Sequence, residues 1–195
     1  MKTDRFVLSL LVFTTVVFIG CNGTDTTKNA NAPAPVISTQ PNTSLPMPPV
    51  NGKSIEQMGW SLADGSRNAF SEFKGKVLIL DFYATWCEPC RISIPHLVDL
   101  QTRYQNEVRV IGLNVGGEAD VPKVPAFAQE FKINYALGLP DEDLVDFLMA
   151  GQDAIPQTFV FDTKGQLVRR FVGFGDATGP QIDTAVEFAL RTAAD

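Results

Sequence analysis

The feature that most limits this fold is the segment Val77 to Tyr83 joined to a cysteine pair just after it. The run is almost wholly apolar, the pattern of a strand buried on both faces in a parallel sheet. Cys87-Glu88-Pro89-Cys90 comes next, and a helical pattern opens there. At a helix N-terminus, unpaired N–H groups and the dipole favour a thiolate. Cys87, placed in the first turn, is expected to have the lower pKa and to be the attacking nucleophile. Cys90 lies three residues on and deeper in the helix, where it can reach the Cys87 sulfur and resolve a mixed disulfide. Pro89 suits an early helical position, where its missing N–H costs nothing.

The flanking pattern extends this into an α/β domain with a mixed sheet. A short strand or hairpin at Trp60 to Leu62 leads to a turn at Asp64-Gly65, and Phe70 to Phe73 reads as one helical turn closed by Gly75. After Cys87, Ile94, Leu97, Val98 and Tyr104 share a helical face. Val108 to Val115 is a second buried strand, ended by Gly116-Gly117. Pro125 to Phe131 reads as a helix and Tyr135 to Leu139 as an extended stretch. Asp141, Glu142 and Asp143 stand where a helix start favours acids, with Leu144, Phe147 and Leu148 as its apolar face. Thr158 to Phe161 and Leu167 to Phe174 flank Lys164-Gly165 as a hairpin. Ile182, Ala185, Val186, Ala189, Leu190 and Ala193 complete a final amphipathic helix.

The cysteine count is three, so the cysteines cannot all be paired in disulfides. Cys21 is the one outside the motif. Lys2 and Arg5 precede a mostly apolar run from Phe6 to Ile19, shorter than the roughly 20 residues of a membrane span and suited to an export signal. The run ends at Gly20-Cys21, which resembles a bacterial lipobox. That resemblance implies a signal peptide over 1–20, cleavage before Cys21 and lipid attachment there, with several acyl chains giving a stable anchor. Residues 22–50 hold six of the 13 prolines, five Thr, four Asn and no aromatics, a tether that cannot bury a core. The folded domain is expected over 51–195.

That domain carries 13 basic and 20 acidic residues, a balance of 13 − 20 = −7. The acidic surplus argues against a nucleic-acid partner, which needs basic patches. Zinc usually takes four Cys or His ligands; two Cys and the single His96 do not supply them. Arg91, not His, follows Cys90, which excludes the c-type haem signature. No cofactor beyond the cysteine pair itself is expected. His96 reads as a solvated or locally satisfied histidine, Arg169-Arg170 as a solvated strand or turn position, and the acidic stretch Asp141 to Asp146 as a solvated face rather than a cation site.

Several separate motifs resemble the thioredoxin superfamily, in its exported, membrane-tethered branch of TlpA-like and ResA-like reductases. Trp86 to Cys90 reads WCEPC, Pro95 matches a proline that kinks the active-site helix, and Ile155-Pro156 matches the cis-proline beside the thiols. Gly165 and Gly173 match glycines of the terminal hairpin. The resemblance implies a thioredoxin fold with an extra β-α insertion, and a substrate surface made by Trp86, Glu88, Pro89, Ile155 and Pro156. The backbone of Ile155 would pair with a substrate strand by β-augmentation. Asp81, the one acid in the first buried strand, should have a raised pKa. By resemblance it is a proton acceptor for the resolving thiol.

The implied activity is thiol:disulfide oxidoreduction, reducing disulfides of other exported proteins and re-reduced by a membrane electron donor. A monomer is expected. Cytochrome c maturation is one setting for such proteins, although members serving it often carry an acid where Ser93 stands. Glu88 beside the thiols opposes thiolate formation and so favours a reducing poise. Two alternatives remain open: a copper(I)-handling metallochaperone using the two thiolates, and a disulfide oxidase or isomerase on the same fold. A thiol peroxidase would need a lone peroxidatic Cys with Thr/Ser and Pro just upstream, which is absent.

Overall fold

The computed structural model describes residues 52–192. The expected signal peptide over 1–20, the expected lipid site Cys21 and the expected tether over 22–50 lie outside the described residues, as does Ala193 of the final helical face. Among the described residues, no helix is long and apolar enough to cross a membrane.

Seven strands and four α-helices follow one another as β1 (Gly59–Leu62), β2 (Arg67–Ala69), β3 (Val77–Tyr83), α1 (Glu88–Arg103), β4 (Val108–Asn114), α2 (Val124–Glu130), β5 (Ala136–Pro140), α3 (Glu142–Met149), β6 (Gln157–Phe161), β7 (Leu167–Val172) and α4 (Thr178–Arg191). They form one sheet in the order β2-β1-β5-β4-β3-β6-β7. β3, β4 and β5 run parallel, and the outer pairs are antiparallel, so the sheet is mixed. This is a thioredoxin-like α/β fold. Between β4 and Pro156 the chain builds α2, β5 and α3, where the family resemblance implies an inserted β-α pair.

β3 is buried along its whole length, as its unbroken apolar run requires. Its alternating side chains feed opposite layers. Leu78, Leu80 and Phe82 join Trp60, Phe70, Phe159, Phe161 and the α3 residues Leu144 and Leu148 on one face. Val77 and Ile79 meet Leu97 and Leu100 of α1 and Ile182, Val186 and Ala189 of α4 on the other. Tyr83 continues that second face into a cluster with Cys87, Cys90, Ile94 and Phe127. Gln101 fastens α1 to β4: its Nε2 donates to Val108 O (3.3 Å) and its Oε1 accepts from Val110 N (2.9 Å).

The β1–β2 hairpin closes the sheet edge at one tight point. A Cβ on Gly59 would stand 2.0 Å from Asn68 O, a backbone atom that cannot yield without parting the strands. Gly59→Ala is therefore expected to cost about 1–3 kcal/mol, read as a lower denaturation midpoint with an unchanged m-value.

Asp141 is structural rather than solvated. It sits before α3, accepts from Gly59 N (3.0 Å) and pairs with Arg67. Asp143 likewise pairs with Lys53. Asp141 thus ties the start of α3 to the β1–β2 edge, and Asp143 ties α3 to the segment that precedes β1. Arg170 also departs from a solvated role. Its Nη2 donates to Gln157 Oε1 (2.7 Å), Gln152 Oε1 (3.0 Å) and Met149 O (3.2 Å), and its guanidinium lies 5.4 Å from the Phe159 ring centroid. Its strand is at the sheet edge and half-covered, which the sequence pattern alone does not reveal.

Candidate active site

The first buried strand ends at Tyr83, and four residues turn the chain into α1. Cys87 is the N-cap of that helix rather than a first-turn residue: its φ/ψ of −84°/109° are extended, and its sulfur accepts from Cys90 N (3.3 Å). A sulfur capping the helix start is close to the free N–H groups and the positive end of the dipole. Pro89 occupies the first turn, where no partner for its nitrogen is needed. Cys87 and Cys90 form a disulfide, with Cα atoms 5.3 Å apart.

The two cysteines differ in access. Cys87 is 5% exposed and Cys90 not at all. Trp86, beside Cys87, is 64% exposed, unusual for so large an apolar ring, and Glu88 and Pro89 are also exposed. The Ile155–Pro156 peptide bond is cis. Ile155 O lies 3.6 Å from Cys87 Sγ, and Ile155 is partly exposed and packs on the thiol cluster. Trp86, Glu88, Pro89 and Ile155 thus form the accessible rim around Cys87, with Pro156 buried beneath it.

Asp81 is 1% exposed and stands opposite Gly112 on β4 and Thr158 on β6. Strand alternation puts it on the Tyr83 face, the layer that also holds Cys90. Burial raises its pKa to about 7, opposed by one hydrogen bond from Thr158 Oγ1 (2.7 Å). A carboxyl with that pKa can exchange a proton near neutrality. Its charge also helps hold the phenols of Tyr83 and Tyr135 neutral, although burial is the main cause for both.

His96, on α1, lies against Phe174 and 3.4 Å from Asp183 on α4. Ser93 is fully buried, and its hydroxyl donates to Cys90 O (2.9 Å). Among the described residues, no group of three or more His, Cys, Asp or Glu could hold a metal ion.

Two groups of residues at the site carry no signal in the sequence pattern. Asp120, 1% exposed, accepts from Thr85 N (2.9 Å), Thr85 Oγ1 and Asn114 Nδ2 (2.8 Å). Gln157, fully buried, donates through Nε2 to Gln152 O (2.6 Å) and Ala154 O (2.8 Å), holding the loop before Ile155 together with Arg170. The Asp120 set joins loops far apart in sequence, and Arg170 reaches the Gln157 loop from the neighbouring strand.

Residues 51–170 match the AhpC/TSA family. Among curated proteins, thioredoxin-like protein YneN of Bacillus subtilis is 27% identical over 63% of this chain and 71% of its own length. The thiol-disulfide oxidoreductase ResA of Geobacillus thermodenitrificans is 29% identical over 56% of this chain, and the match spans 62% of that relative. Among solved structures, a thiol:disulfide interchange protein of the thioredoxin family from Chlorobium tepidum superposes with a TM-score of 0.61 at 26% identity, covering 76% of this chain and 99% of that one. A cysteine capping a helix, a disulfide partner three residues on and these relatives agree: the chain belongs to the AhpC/TSA family, with a thioredoxin-like fold, and is a redox enzyme of the thiol-disulfide oxidoreductase class.

Proposed function

We propose that the protein is exported, held to a bacterial membrane through lipid on Cys21, and reduces disulfides in other exported proteins. The observation that carries the chemistry is the unequal placement of the two cysteines: Cys87 caps α1 beside the exposed Trp86 and 3.6 Å from Ile155 O, whereas Cys90 lies fully buried inside the helix.

In the reduced enzyme, Cys87 thiolate attacks one sulfur of a substrate disulfide. The substrate S–S bond breaks, a mixed disulfide forms, and the departing substrate sulfur takes up a proton. Cys90 then loses its proton and attacks the Cys87 sulfur. The mixed disulfide breaks, the second substrate thiol leaves protonated, and the Cys87–Cys90 disulfide remains. Two electrons have passed to the substrate. Asp81, on the Cys90 layer with a pKa near 7, receives the Cys90 proton. A membrane electron donor returns two electrons and the cycle restarts. Trp86, Glu88, Pro89 and Ile155 contact the substrate, with Pro156 shaping that surface from beneath and Ile155 offering its backbone to an extended segment.

Cys90→Ser tests this directly. The variant cannot resolve, so substrate proteins accumulate as reducible adducts on Cys87, recoverable from the cell envelope and identifiable by mass spectrometry. Adducts with several exported proteins support a general reductase. Adducts restricted to apocytochromes c assign it to cytochrome c maturation. Tight stoichiometric copper(I) binding by the reduced protein, with no adducts, would instead support metal handling.

A further inference from the structure

The loop that presents Cys87 is held at one residue from two sides. Thr85 lies two positions before Cys87 and is buried. Its N–H donates to Asp120 Oδ2 (2.9 Å) and its hydroxyl donates to Asp120 Oδ1. Its carbonyl accepts from Arg91 Nη1 at 3.5 Å, the outer edge of hydrogen-bond range. Every polar atom of Thr85 is thus engaged, and neither partner is a neighbour in sequence.

Both partners are themselves fixed. β3 and β4 run parallel with Tyr83 beside Asn114, so the loops after them leave the sheet at the same end. Asn114 closes β4, donates from Nδ2 to Asp120 Oδ2 (2.8 Å) and accepts at Oδ1 from Gly116 N (3.2 Å). A Cβ on Gly116 would stand 2.3 Å from the same Asp120 oxygen, so glycine there admits the carboxylate. Arg91 pairs with Glu130 of α2 and stacks over Phe131 (4.7 Å) and Phe127 (5.6 Å). Burial would raise the Asp120 pKa, but hydrogen bonds from Asn114 and Thr85, with the nearby Lys123, outweigh it and hold the pKa below the ordinary value. The site thus keeps two buried carboxyls pushed in opposite directions, Asp81 upward and Asp120 downward.

We infer that Asp120 is a positioning residue for the redox pair: acting through Thr85, it fixes the Trp86–Cys87 turn so that the Cys87 sulfur caps α1 in the geometry of attack. A buried ion with three hydrogen bonds is a costly way to stabilise a loop, since an apolar replacement often does as well. Its use here, two residues from the attacking sulfur, fits a requirement for orientation, where small misplacements carry large rate costs. The inference rests on Cys87 being the attacking thiol.

The test is the rate at which the reduced full-length protein attacks 5,5′-dithiobis(2-nitrobenzoate), followed by release of the coloured thiolate. Thr85→Val keeps the fold and the Asp120 charge but deletes one clamp bond; it should slow attack by about fivefold to tenfold. Thr85→Ser, which keeps the hydroxyl, should restore the rate to within about twofold. Asp120→Ala should slow attack at least as much, and Thr85→Val added to it should cost nothing further, because the two act as one unit. A wild-type rate in Thr85→Val, or losses that multiply in the double variant, would overturn the inference. If Asp120→Ala does not fold, the two Thr85 variants decide alone. Cys87→Ser is the separate check: if it still reacts at the wild-type rate, the assignment of Cys87 fails rather than the clamp.

Discussion

Cys87→Ser is expected to abolish reduction of insulin disulfides, a loss on the order of a thousandfold or more, because the proposed mechanism loses its attacking thiolate. Cys90→Ser is expected to lose turnover to a similar extent but for a different reason. It still attacks once and stops as the mixed disulfide. Single-turnover mass spectrometry separates the two: Cys90→Ser gains the mass of its substrate and Cys87→Ser does not. The asymmetry comes from position. Cys87 caps the helix at the rim of the Trp86, Glu88 and Ile155 surface, whereas Cys90 has no exposed surface. An adduct on Cys90 in the Cys87→Ser variant would reverse the assignment of roles.

The second large effect concerns Asp81. Its folded pKa of about 7 lies above its ordinary 3.8. Between those values the folded state keeps a proton that the unfolded chain has released. Stability therefore falls as pH rises from about 4 to about 7 and stays low above that range. The cost reaches on the order of 4 kcal/mol at alkaline pH. Asp81→Asn removes that titration and should leave a more stable protein, the gap over wild type widening by about 2 kcal/mol or more between pH 5 and pH 8. Urea denaturation at the two pH values reads it. The same variant should resolve mixed disulfides about a hundredfold more slowly and lose the rise in rate through pH 7, because no carboxylate accepts the Cys90 proton. A more stable variant with an unchanged resolution rate would make Asp81 a structural residue only. A gain in stability together with a loss in rate would mark Asp81 as a buried carboxyl kept for proton transfer at a cost in stability.

Much of the site was legible because its signals are local. An apolar run, a short turn and a cysteine pair at a helix start are written within Val77 to Cys90, and the structure keeps them within a residue of where the pattern puts them. Asp81 stood out as the one acid in an apolar strand, and it is indeed buried. Helix and strand ends moved by one or two residues, as at β7, which stops at Val172. Asp120 was not legible. It lies in a glycine- and acid-rich stretch that looks like a solvated loop, and its partner Thr85 is 35 residues away. The one sequence hint was Gly116-Gly117, readable as the end of a strand but not as room for a carboxylate. Arg170 and Asp141 were missed for the same reason. Their partners come from other strands, and charged residues read alone always resemble solvated ones.

The Cys87–Cys90 pair is expected above all to work as a reductant. Its reduction potential, measured by equilibrating the full-length protein with glutathione or dithiothreitol buffers and quantifying the free thiols, tests that most directly. A value near that of thioredoxin, about −270 mV, is predicted. A value near about −120 mV, that of a strong oxidant, would contradict a reductase and make the protein a donor of disulfides.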